Sequence, residues 1–159
     1  MLPLGHIGPV PGEGKPRETR FTPVEQQTLI TLWSMARSPL ILGANLTQLD
    51  AATLKLITNR DVLRIDQTAI RSGQVMRAGN IIAWTANLPA DSPDGSIALA
   101  IFNAGDSPVV ADSSFAAYKL DAAAYHIKDA WTGKTLGKLK TLPKLTLEPH
   151  ASILYLLKK

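Results

Sequence analysis

The sequence predicts an α/β segment followed by an all-β region, and three observations support that class. Thr22 to Leu46 reads as a capped helix, a proline break and a short apolar strand ending in Gly43. Helix followed by buried strand is half of an α/β repeat, yet only one such strand is legible. From about Ser72 onward, short β-rich runs separated by turn residues describe an antiparallel β-sandwich. A lone strand of α/β layer fused to a β-domain is expected to be the end of something larger.

Taken in order, residues 1–20 hold Gly5, Gly8, Gly12 and Gly14 with Pro3, Pro9, Pro11 and Pro16, and read as a long loop. Gly12-Glu-Gly14 lacks the third glycine of a dinucleotide fingerprint and follows no strand, so it is not a phosphate cradle. Thr22 can cap a helix, Pro23 fits its first position, and Glu25 completes a capping box. Leu29, Leu32, Trp33 and Ala36 share one face, widened by Ile30 and Met35. Ser38-Pro39 ends the helix, because proline disfavours helical geometry in the residue before it.

Leu40-Ile-Leu42 is apolar without alternation, as in a strand buried on both faces. Nothing before it reads as a neighbouring strand. Its open edge therefore predicts that residues 1–70 are partly disordered or oligomerise. Asp50 or Thr47 can cap a helix through Ile57, and Asn59 to Asp66 form another helical piece. The expected strands are Ile81–Ala86, Ser96–Phe102, Ser107–Ala111, Tyr125–Trp131, Leu142–Leu147 and Ala151–Leu157, with a boundary near residues 67–75.

The bulk composition narrows the function classes. The 159 residues are 45% apolar and contain no cysteine, which removes disulfide scaffolds and thiolate metal sites. No apolar run reaches membrane-spanning length, and Met-Leu-Pro-Leu-Gly-His6 has no leader pattern. The net charge of +4 comes mainly from lysines of the last third. They sit at strand ends without an arginine cluster or interleaved aromatics, so nucleic-acid binding is not expected.

Candidate chemistry is sparse. Asp61 and Asp66 are five apart, so on one helix they point to different sides. Asp91, Asp94 and Asp106 lie in turn sequences, and Asp129 lies in an expected strand. His6, His126 and His150 show no metal-ligand spacing, and no Gly-x-Ser-x-Gly elbow is present. Asn45-Leu-Thr47 matches a glycosylation triplet and is taken as coincidence. Trp33 belongs to the core. Trp84 and Trp131 on strands leave an alternative open: a free-standing β-sandwich that binds carbohydrate or protein through them.

The ordered motifs resemble a known family. Leu32-Trp-Ser-Met-Ala-Arg-Ser-Pro-Leu-Ile-Leu-Gly43 and Thr58-Asn-Arg-Asp-Val-Leu-Arg-Ile-Asp-Gln67 resemble the last barrel segments of family 27 glycoside hydrolases, the α-galactosidase group. Met1-Leu-Pro-Leu-Gly5 is similar to the stretch after that family's late-barrel aspartates, and Pro16 to Gln26 is similar to its bacterial branch. Phe102-Asn-Ala-Gly-Asp-Ser107, Lys128-Asp-Ala-Trp-Thr-Gly-Lys134 and Pro149-His-Ala-Ser-Ile-Leu154 resemble its C-terminal antiparallel domain. Asp66 stands where asparagine is usual.

The resemblance implies the last segment of a (β/α)8 barrel over residues 1–70 and an antiparallel β-sandwich over residues 71–159. It implies retaining hydrolysis of terminal α-galactosides by the intact protein, without metal or cofactor. Secreted or periplasmic relatives are implied too. The family's nucleophile and acid/base aspartates lie on earlier strands, so no catalytic residue is expected here. The implied partner is the N-terminal barrel segment, with Met1 an internal position that lines the substrate pocket as an apolar wall.

Overall fold

In the computed structural model, which describes residues 1–8, 15–89 and 95–159, Thr22 starts the first helix as its hydroxyl predicts. Gly12, Gly14, Asp91 and Asp94, weighed above, lie outside the described residues. Helix α1 spans Pro23–Met35, with Thr22 accepting from the Glu25 N–H while the Glu25 carboxylate accepts from the Thr22 N–H. Helix α2 spans Ala51–Ile57 and helix α3 spans Arg60–Thr68, capped by Asp50 and Asn59 respectively. A short 3-10 turn, Leu46–Gln48, precedes α2 and is capped by Asn45. The Asn45 carboxamide is engaged in that cap, accepting from both the Thr47 N–H and hydroxyl.

The strands are β1 (His6–Ile7), β2 (Arg17–Glu18), β3 (Ile70–Ala78), β4 (Ile81–Leu88), β5 (Ser96–Asn103), β6 (Val109–Ala111), β7 (Tyr125–Asp129), β8 (Thr135–Leu139), β9 (Leu145–Leu147) and β10 (Ser152–Lys158). Six of them form one antiparallel sheet in the order β3-β4-β5-β10-β7-β8. β6 and β9 pair as a second, two-stranded sheet. This layered antiparallel architecture is the sandwich expected from the sequence.

Two apolar clusters lie on opposite faces of the large sheet. On one face Ala86, Ala98, Ala100, Leu154 and Leu156 pack with Ile30 and Met35 of α1 and Val62 and Ile65 of α3. On the other, Leu99, Ile101, Ile127 and Leu157 pack with Phe115, Tyr118, Tyr125 and Leu147. The alternation of side chains along β5 and β10 supplies both faces at once. Small alanines on the helix side let α1 approach closely, and aromatics fill the other side. The Phe115 and Tyr125 rings meet edge to face with centroids 4.8 Å apart.

Three expectations change. The apparently lone strand has a neighbour: Leu2 and Leu42 form a parallel bridge, with the Leu2 N–H donating to the Ile41 carbonyl (2.7 Å) and the Gly43 N–H donating to the Leu2 carbonyl (2.8 Å). The stretch Met1 to Leu4 is too short to show a period, and its glycine and proline surroundings read as loop. Among the described residues of that segment, α1 and α3 are also packed, burying Ile30, Met35, Val62 and Ile65 completely against the sheet.

The third change concerns the buried face of α1, which is Ile30, Thr31, Ser34 and Met35, while Leu32 and Ala36 are exposed. Thr31 tolerates burial because its hydroxyl donates to the Gln27 carbonyl (2.8 Å) and accepts from the Trp131 indole N–H (3.0 Å). Strands β3 and β8, absent from the sequence reading, occupy the two edges of the large sheet.

Candidate functional site

Met1, implied as a wall of the substrate pocket, stands beside the Leu2–Leu42 pair. Leu2 and Leu4 are buried in the helix-side cluster, whereas Met1 is 85% exposed. The Met1 Cβ lies 3.7 Å from where a side chain on Gly43 would begin, and the Leu2 carbonyl lies 3.3 Å from that point. Gly43 thus leaves open the space beside Met1 that any larger residue would fill.

The chain beyond Gly5 returns over this end. β1 and β2 pair antiparallel, with His6 opposite Glu18 and its Nδ1 2.7 Å from the Glu18 Oε1. The Thr19 hydroxyl donates to the Pro3 carbonyl (2.6 Å), and its N–H donates to the Gly5 carbonyl (2.8 Å). The Asn45 N–H donates to the His6 carbonyl at 2.8 Å, tying the return to the segment after Leu42. A cleft lined by Pro3, Ile7, Arg17, Thr19, Arg20 and Phe21 opens beside it.

Several of the carboxylates are engaged in ion pairs, caps and turns. Asp61 is held by the Lys128 ammonium (2.6 Å) and the Arg64 guanidinium (3.3 Å). Asp50 caps α2 through the Thr53 N–H and hydroxyl, and those hydrogen bonds keep its carboxyl below the usual range. Asp129 accepts from the Trp131 and Thr132 N–H groups, which makes it a turn residue. Asp121 is engaged with Tyr125 and Lys159. Burial pushes the Asp66 carboxyl up, and its Oδ1 has no hydrogen-bond partner among the described residues. An asparagine there would carry no charge into that environment.

The histidines are dispersed: His6 on β1, exposed His126 on β7, and His150 at the turn before β10. His, Asp and Glu form no metal-holding group among the described residues. Sequence reasoning missed the partners of His150, which bridges Glu25 on α1 and Asp106 after β5. Their separations in sequence gave no signal for that meeting. Trp33, Trp84 and Trp131 all pack partly buried against the helix-side core. Trp84 and Trp131 thus lie on the helix side of the large sheet, partly buried.

Comparison with known proteins agrees with this layout. Residues 78–157 match the α-galactosidase C-terminal β-sandwich domain family, half of the chain. A family 27 β-L-arabinopyranosidase from Geobacillus stearothermophilus superposes with a TM-score of 0.87 at 37% identity, covering 99% of this chain and 36% of that one. A candidate α-N-acetylgalactosaminidase from Bacillus halodurans C-125 gives 0.85 at 33% identity, with the same coverage. α-Galactosidase 2 of Arabidopsis thaliana is 24% identical over 140 residues, 86% of this chain and 34% of that protein. The chain thus spans about a third of the length of the relatives it matches. It belongs to the α-galactosidase C-terminal β-sandwich family and represents a C-terminal portion of a family 27, α-galactosidase-like glycoside hydrolase.

Proposed function

We propose that this chain closes the (β/α)8 barrel of a retaining family 27 glycosidase and carries the sandwich that buttresses it. Residues 1–70 belong to the barrel layer and residues 71–159 to the sandwich. The observation that carries this reading is the parallel pairing of Leu2 with Leu42. The bridge at Leu2, helix α1 and the bridge at Leu42 follow in the order of a βαβ unit, the repeat from which such barrels are built. Ile41 is 58% exposed on the open side of that unit, where a further barrel layer would cover it.

Retaining hydrolysis needs two carboxyl groups about 5–5.5 Å apart, one attacking the anomeric carbon and one protonating the leaving oxygen. In this reading both come from the barrel segment that precedes Met1, and the chain alone is without catalysis. Loops following barrel strands form the mouth of the active site, and in this reading the segment 1–20 belongs to that mouth. Met1 supplies an apolar wall against the sugar and takes no part in proton transfer. The substrate is a terminal α-galactoside or its counterpart without the exocyclic CH2OH, a β-L-arabinopyranoside, since the two share ring stereochemistry.

A chimera tests this directly. The barrel segment of the Geobacillus stearothermophilus relative is fused ahead of Met1, and turnover of aryl α-galactoside and aryl β-L-arabinopyranoside is measured. The fusion is expected to turn over at least one of them. Met1→Ala in that fusion is expected to raise KM several-fold with kcat little changed, as for loss of uniform binding. A folded chimera that is silent on both substrates overturns the proposal. An unchanged KM in the variant removes Met1 from the pocket wall.

A further inference from the structure

His150 occupies the third place of the tight turn Glu148-Pro149-His150-Ala151, closed by the Ala151 N–H donating to the Glu148 carbonyl at 3.1 Å. Its φ of 57° lies in the left-handed region, which at this place of a turn favours glycine or asparagine. A histidine held there brings its ring between two carboxylates from separate elements. The ring Nδ1 lies 3.1 Å from the Glu25 Oε1 in the first turn of α1. The Nε2 lies 2.9 Å from the Asp106 Oδ1 in the connection from β5 to β6.

A neutral imidazole carries one N–H, so one of these contacts would set a ring lone pair against a carboxylate lone pair. Only the imidazolium donates at both ends. Glu25 is fixed independently, since its Oε2 accepts from the Thr22 N–H (2.8 Å) and hydroxyl (2.9 Å), leaving Oε1 for the ring. No lysine or arginine pairs with Glu25 or Asp106 among the described residues. The remaining charged group of the turn is the exposed Glu148. With the carboxylates on opposite ring nitrogens, the three groups cannot converge on one metal ion.

We propose that His150 is a proton-operated latch: as imidazolium it ties the first turn of α1 to the sandwich through Glu25 and Asp106, and as neutral imidazole it releases that end of the helix. The electrostatics agree with the geometry. Hydrogen bonds from the ring to Asp106 and then Glu25 raise His150 above its ordinary 6.5, against a smaller opposing desolvation. Bonds from Thr22, with a lesser contribution from His150, lower Glu25 below 4.5. A raised histidine stabilises fully below its unfolded value and loses that contribution as pH rises through its folded value. A lowered glutamate stabilises above its unfolded value and loses that contribution as pH falls through its folded one. The latch is therefore closed between the depressed Glu25 and the elevated His150, and it opens on the alkaline side.

Imidazole titration by NMR on this chain tests it, using wild type, Asp106→Asn and His150→Asn. Asp106 is almost fully exposed, so its variant leaves the fold intact. Asparagine at position 150 suits the left-handed turn and identifies the His150 signal by its loss. The expected result is a His150 midpoint above the ordinary histidine value that falls toward it in Asp106→Asn. Solvent exchange at the Glu25 and Gln26 amides should accelerate several-fold beyond the intrinsic rate as pH passes that midpoint. In His150→Asn the fast exchange should persist at all pH values. An ordinary midpoint that ignores Asp106→Asn, or amide exchange indifferent to His150, overturns the latch. The experiment needs no catalytic partner, so its outcome is separate from the barrel-closing reading.

Discussion

The Asn103 carboxamide donates to the carbonyls of Ser107, Leu147 and Glu148 and accepts from the Gly105 N–H, at 2.8, 3.1, 3.0 and 2.9 Å. It is 1% exposed and ties the end of β5 to β9 and to the approach of β6. Asn103→Ala would leave the buried Leu147 carbonyl and Gly105 N–H without this partner and the part-buried Ser107 and Glu148 carbonyls likewise, at about 1–3 kcal/mol for such a loss. The expected destabilisation is about 3 kcal/mol, read from the urea midpoint at unchanged slope. In the sequence, Asn103-Ala-Gly-Asp106 was legible only as a turn, because two of the carbonyls it serves, those of Leu147 and Glu148, lie more than forty residues away. The same reason hid the pairing of His150 with Glu25 and Asp106. Asp129, by contrast, serves N–H groups two and three residues on, contacts within the reach of local sequence.

At the scale of elements, α1 was legible because its signals are local: Thr22, Pro23, Glu25 and the Ser38-Pro39 stop all act within one or two turns. Thr22→Ala removes the side-chain acceptor for the Glu25 N–H and is expected to lower stability by about 1 kcal/mol, checked by urea denaturation. The helix face was less legible. Thr31 and Ser34 are buried through tertiary packing, and Thr31 is stabilised there by the Trp131 N–H, which no helical periodicity records. Strand β3 escaped because two register shifts interrupt its pairing with β4 and break the alternation. Strand β8 is a short edge with Gly137 in a left-handed conformation, and edges show the weakest pattern. The parallel bridge at Leu2 was masked by its brevity.

For the whole molecule, the change of texture near Ser72 falls beside the start of β3 at Ile70, the first strand of the large antiparallel sheet. What the sequence did not convey is how thoroughly the two regions share a core, with α1 and α3 lying across one face of the large sheet. That sharing depends on which face Ala98, Ala100, Leu154 and Leu156 present, a property of register and not of local composition. The exposed Met1, Ile41, Leu46 and Leu54 lie in the segment assigned to the barrel, while Leu2, Leu4 and Ile30 are closed against the helix-side core. In the proposed account the sandwich fixes α1, α1 fixes the two parallel strands, and those strands complete an active site whose carboxylates lie elsewhere.

The measurement that bears most directly on this account is aryl α-galactoside hydrolysis by the purified chain, alone and mixed with a separately produced N-terminal barrel segment. Activity that appears only in the mixture is the predicted result. Turnover by the chain alone, surviving strict removal of contaminating enzyme, would contradict it, as would silence in a mixture whose two pieces demonstrably associate.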